Sequence, residues 1–132
     1  MTSLPSLLGV LMATLQSHPI CERATVMETK AFSPDHFFFK VKAEFTGGND
    51  IQVRIYYNQG HIDYAYQLFR QVPLLRWDNK EEFQHLDTYP HHHHDEQGNV
   101  KPSPLTGEPV KDIEVVLYEI STFISGNSNR QK

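Results

Sequence analysis

Cysteine is almost absent from this 132-residue chain. The single Cys21 excludes an internal disulfide and any zinc site built on paired thiolates, and it suits a reducing, cytoplasmic setting. No apolar run is long enough to cross a bilayer, so no membrane partner is expected. The N-terminal leucines are periodic rather than continuous and follow no basic region, unlike a signal peptide. Neither a Gly-x-Ser-x-Gly elbow nor a glycine-rich phosphate loop occurs, which argues against serine-hydrolase, ATPase and kinase chemistry. Excess positive charge is missing too. The net charge of −4 argues weakly against non-specific nucleic-acid binding.

The charge that is present is unevenly spread. Residues 36–80 carry six basic against four acidic side chains, a surplus of two, whereas residues 81–132 carry four basic against nine acidic, a deficit of five. A mildly basic middle can present a local phosphate-binding face on an acidic protein. Histidine is concentrated further still: four of the eight, His91 to His94, are consecutive. They follow Tyr89-Pro90 and precede Asp95-Glu96. Such a cluster can transfer protons, bind phosphate or ligate a metal.

The length fits one domain with a real core, predicted over 1–124, followed by a flexible tail at 125–132. Leu4, Leu7, Leu8, Leu11 and Leu15 recur at helical spacing and predict a helix over 3–17, ended by His18-Pro19. From about Cys21 to Asn79 the period changes to two, which predicts an antiparallel meander of about five strands. The turn near Asn58-Gln59-Gly60 leaves two registers open. A two-residue loop pairs Ile55 with Tyr64 and keeps the apolar sets together, and it is preferred over a three-residue loop. Residues 80–108 show little period, a pattern more typical of a functional loop than of scaffold. Pro109 opens a last helix carrying Ile113, Val116, Leu117, Ile120 and Ile124 on one face. The predicted class is therefore α+β, with an N-terminal helix, an antiparallel sheet and a C-terminal helix packed on it.

Two chemistries suit the histidines. Acid–base cleavage of RNA needs a base, an acid and cations for the phosphorane, and neither a metal nor a covalent nucleophile. Arg76 and Arg54 are candidate phosphate partners, Asp78 can orient a histidine, and Tyr64 and Tyr66 are candidates for stacking a base. Trp77 reads as core. Alternatively, His92 and His94 could ligate a metal with Asp78, His85 or Asp95, although the spacing matches no familiar metal motif.

Arg76-Trp77-Asp78-Asn79, then Thr88-Tyr89-Pro90-His91-His92-His93-His94, then a C-terminal helix from Asp112 to Ile120, resembles the TumE-like toxin family. These are small proteins encoded beside an antitoxin. The family pattern is Arg-Tyr-Asp-Asn, then Thr-Phe-Pro-His-His-Lys-His, then a helix rich in leucine and glutamate. The chain departs from it at Trp77 and at His93, where the family tends to lysine. The resemblance implies a toxin with a cognate antitoxin, and Asp78, Asn79, His91, His92 and His94 as signature positions. Combined with the site chemistry, it gives an expected metal-independent ribonuclease without cofactor. His91, His92, His94 and Asp78 would be catalytic, with Arg54, Tyr64, Tyr66, Arg76, Asn79 and His93 contacting RNA. A non-enzymatic module that senses metal or pH is the alternative, and a homodimer stays open.

Overall fold

The computed structural model describes residues 2–130, with side chains through residue 126. Helix α1 (Leu4–Ser17) begins in a capping box: Ser3 Oγ accepts from Ser6 N, and Ser6 Oγ accepts from Ser3 N, each at 3.2 Å. Its Leu7, Leu11 and Leu15 form one buried stripe. Helix α2 (Pro109–Arg130) buries Ile113, Val116, Leu117 and Ile120 in the same core. The tail expected at 125–132 thus falls partly on this helix, and Gln131 and Lys132 lie outside the described residues.

The strands are β1 (Cys21–Ser33), β2 (His36–Phe45), β3 (Asn49–Asn58), β4 (His61–Arg70), β5 (Val72–Asp78), β6 (His92–His94) and β7 (Val100–Pro102). They form a seven-stranded sheet in chain order, every neighbour antiparallel. The expected class holds, but seven strands replace about five. The two additional strands have three residues each, too short to display a period, and exist because β5 offers its free edge to them. They are the only regular elements described within 80–108, most of which is irregular, as its lack of period led one to expect.

Alternation decides which side chains meet the helices. In β2 the pattern is perfect: Phe37, Phe39, Val41, Ala43 and Phe45 are buried, while His36, Phe38, Lys40, Lys42 and Glu44 are half-buried on the other side. Ile51, Val53 and Ile55 continue the buried set across β3, Tyr64, Tyr66 and Leu68 across β4, and Leu75 and Trp77 across β5. A buried side chain of this size stabilises the fold by about 1.5–3 kcal/mol, so this one face accounts for most of the packing. The opposite face remains open and polar.

The two-residue β3–β4 turn is the register preferred from sequence. Asn58 pairs with His61 and Ile55 with Tyr64, with Gln59 and Gly60 at φ 50° and 90°. Two successive positive φ angles are what a tight hairpin of this twist requires, and glycine takes the second without strain.

Candidate active site

Strand β6 lies beside β5 with Asp78 opposite His92, Trp77 opposite His93 and Arg76 opposite His94. Because successive side chains point to opposite faces, the histidine run divides. His92 and His94 join Arg76 and Asp78 on the open face. His93 goes to the helix-packed face, where its ring stacks on buried Trp77 at a centroid distance of 4.8 Å.

Asp78 is the hub of the open-face group. Arg76 Nε donates to Asp78 Oδ2 at 2.7 Å, His92 Nε2 lies 2.9 Å from Oδ1, and His94 Nε2 lies 3.9 Å from Oδ2. The Lys80 amide donates to Oδ1, and Arg76 Nη1 donates to Gln67 Oε1 at 2.9 Å. Asp78 and His92 are buried, whereas Arg76 and His94 remain about one-third exposed at their side chains, 36% and 31%. Solvent therefore reaches the group through the guanidinium and one imidazole. Phe83 covers the remainder, its ring 4.6 Å from that of His92 and 6.0 Å from that of His94.

The two open-face histidines differ in their hydrogen bonding and surroundings. His92 Nδ1 donates to Pro90 O at 3.2 Å while its Nε2 faces the Asp78 carboxylate. With acceptors at both nitrogens, a doubly protonated ring satisfies both. Burial pushes the His94 pKa below its ordinary value, and the neighbouring His92 adds to that effect. His92 is thus pinned at both nitrogens, while His94 is held toward its neutral form beside a fixed guanidinium.

Several expected site residues lie elsewhere. Tyr64 and Tyr66 are 4% and 0% exposed on the helix-packed face, so no base can stack on them, and burial raises both phenol pKa values. His91 precedes β6 and lies 2.8 Å from Tyr64 Oη through its Nδ1, stacked on that ring and away from Asp78. His93 donates from Nδ1 to Arg76 O at 3.2 Å and does not reach the open face. Burial lowers the pKa of both these histidines. Asn79 is a staple. Its Oδ1 accepts from Tyr64 N at 3.0 Å and its Nδ2 donates to Ile62 O at 2.8 Å, extending the β4–β5 ladder by a side chain.

Arg54 does stand on the open face, exposed, with its guanidinium 5.8 Å from the Phe38 ring centre. Sequence reasoning missed Phe83 and Gln67. Gln67 was accessible to it, because it alternates in phase with Ala65 and sits opposite Arg76. Phe83 was not, since it comes from a segment without period.

Asp78, His92 and His94 offer three ligand atoms within 4.8 Å of one another. A cation there would share Asp78 with the Arg76 guanidinium. His85 and Asp95, the other candidate ligands, are not in the group. His85 is exposed, and Asp95 caps the β6–β7 turn through Gln97 N and Asn99 N and pairs with Lys101 at 3.0 Å. The Lys101 hydrogen bond, with those amides, holds the Asp95 carboxyl at about 2.

An α+β domain with a histidine–aspartate group on the exposed face of an antiparallel meander defines the structural class. Residues 11–125 match the sequence profile described as toxin TumE, and the chain belongs to that family. TumE-type toxins generally pair with a cognate antitoxin. No curated protein and no solved structure matches the chain. Among the described residues, no helix is long and apolar enough to cross a membrane.

Proposed function

We propose that this toxin is a metal-independent ribonuclease that acts on RNA in the cytoplasm and is held in check by a cognate antitoxin. One observation carries the reading: a desolvated His94 and a His92 with acceptors at both nitrogens share one buried carboxylate beside Arg76. Neutral His94 takes the proton of a 2′-hydroxyl. The 2′-oxygen then bonds to the adjacent phosphorus, the bond to the 5′-oxygen breaks, and that oxygen receives the Nε2 proton of His92, which turns from Asp78 Oδ1 to the substrate once Phe83 is displaced. Arg76, held flat by Asp78 and Gln67, lies against the equatorial oxygens of the phosphorane, where charge develops. The products are a 2′,3′-cyclic phosphate and a free 5′-hydroxyl. His92 is the deeper ring, so substrate enters by displacing the half-buried Phe83.

A second reading is favoured by one detail. A metal-bound imidazole typically donates its other nitrogen to a carbonyl, and His92 does so to Pro90 O. Purified protein incubated with total RNA, across pH and with or without chelator, separates the two. The ribonuclease reading expects cleavage that rises and falls around neutral pH and survives chelation. Cleavage lost to chelator and restored by zinc or manganese would replace it with metal catalysis. Stoichiometric metal without cleavage would leave a regulatory module.

A further inference from the structure

The open face carries more than the histidine group. Reading the ladder across β2 to β6, Lys40 lies opposite Arg54, Arg54 opposite Ala65, Ala65 opposite Asp78, and Asp78 opposite His92. These residues form one transverse row that ends in the candidate active site. Strands are about 4.8 Å apart, so Arg54 and Lys40 stand about 10 and 14 Å from Asp78 along the row.

Two features of the row are unusual. Like charges placed directly opposite each other destabilise a strand pair, yet Lys40 and Arg54 are such a pair. The other cations of this face are matched: Arg23 with Glu44, Lys30 with Glu28, Lys42 with Asp50 and Arg76 with Asp78. Among the described residues, neither Lys40 nor Arg54 makes an ion pair; Glu28 stands opposite Lys40 on β1 but lies 4.0 Å from Lys30. The row is also interrupted at Ala65, whose small side chain floors a depression of about 210 Å³ walled by Arg54, Arg76, Phe38 and Tyr56, with Asp63 at its margin, 3.1 Å from His61. Tyr56 is oriented by its hydroxyl, 2.6 Å from His36 Nε2.

We propose that this depression is a subsite for a nucleotide of single-stranded RNA flanking the cleaved linkage, with Arg54 and Lys40 on its phosphate and Phe38 and Tyr56 against its base. The assignment rests on the ribonuclease reading for its direction, since the row leads to His92. The unmatched cations supply charge complementarity to a phosphodiester backbone. The partly exposed rings supply a stacking surface that serves unpaired bases and is useless to bases already stacked in a duplex.

The experiment measures binding of a fluorescent 2′-O-methyl oligoribonucleotide, single-stranded or annealed to its complement, to the full chain over a range of salt. The wild type is expected to bind the single strand in preference to the duplex. Lys40→Gln and Arg54→Gln should each weaken binding several-fold and reduce the salt slope by about 0.7, the value for one lost phosphate contact on a single strand. Phe38→Ala or Tyr56→Ala should weaken it roughly tenfold. Phe38→Tyr, which retains a ring, restores binding and separates stacking from misfolding.

Absence of single-strand binding by the wild type, equal binding of duplex, or indifference to both charge variants overturns the subsite. Should binding behave as expected while an unmodified oligonucleotide stays intact, the ribonuclease reading fails and the subsite stands. Should RNA be cleaved with KM and affinity untouched by Lys40→Gln and Arg54→Gln, the subsite fails and the ribonuclease stands.

Discussion

His92 and His94 share a three-residue strand with His93, yet the two sides of the sheet put these rings to different uses. On the helix-packed side, His93 covers Trp77, whose Nε1 donates to Glu119 Oε2 at 2.7 Å, and His91 packs against Tyr64. There imidazole behaves as a flat, weakly polar packing unit. On the open side, His92 and His94 face a carboxylate, a guanidinium and solvent. The chemical nature of the residue is the same; its surroundings decide whether it fills space or moves protons. A run of identical residues should therefore yield sharply different variants at neighbouring positions.

The most damaging change expected is Asp78→Asn. It leaves a buried His92 and the Arg76 guanidinium without their anion, a loss of about 3 kcal/mol in denaturant unfolding, and it should abolish RNA cleavage and growth arrest. Next comes His94→Ala, which should lower the cleavage rate by about 10²–10⁴-fold. The unfolding midpoint should stay close to wild type, because the ring is part-exposed and its contact with Asp78 is long, at 3.9 Å. An active His94→Ala protein would remove the distinction between the faces.

His93→Ala should do the reverse. Loss of the ring from Trp77 costs about 0.5–1.5 kcal/mol of stability, with the cleavage rate per folded molecule unchanged. Inactivity of a well-folded His93→Ala variant would mean that the packed side also takes part in the chemistry.

The smallest effect expected is on stability against pH. Burial lowers the folded-state pKa of His91, His93 and His94. The unfolded chain therefore takes up protons first, near its ordinary histidine pKa of about 6.5. The contribution of these rings is complete above that pH and is lost as pH falls below it. Asp95 acts in another window. Its stabilisation is present above the ordinary 3.8 and disappears as pH falls toward about 2. Melting temperatures should decline modestly from pH 7.5 to 5.5, with His93→Asn flattening part of that decline. A profile that is level over this range would show that folding does not desolvate the rings.

Much of the scaffold was legible because it is written in periods. The leucines of α1, the alternation of Phe37 to Phe45 and the Gln59-Gly60 turn each obey a local rule, and the structure follows them. The grouping of Asp78 with His92 and His94 could be named from residue type, but not the exclusion of His91 and His93. That depends on which residue of β6 faces Asp78, a tertiary fact. Tyr64 and Tyr66 misled for a related reason. Their alternation with Asp63 and Ala65 marks one face, and only burial shows it to be the packed one. Asn79 looked like a polar contact because nothing local reveals that its amide completes a ladder.

Four identical side chains in a row carry no information about their own alignment. Sliding β6 by one position against β5 would still set a histidine beside Asp78, so the run cannot tell the correct pairing from its neighbours. The address must be spelled by the residues around it. Upstream, Thr88 Oγ1 donates to His91 O at 2.7 Å and accepts from Ser103 N at 3.0 Å, tying the entrance of the run to the segment that follows β7. Downstream, Asp95 gathers Gln97 N, Asn99 N and Lys101 and fixes where the hairpin turns. Thr88 and Asp95 touch none of the proposed chemistry, yet they act as the punctuation that lets a stuttering stretch of sequence be read in a single frame.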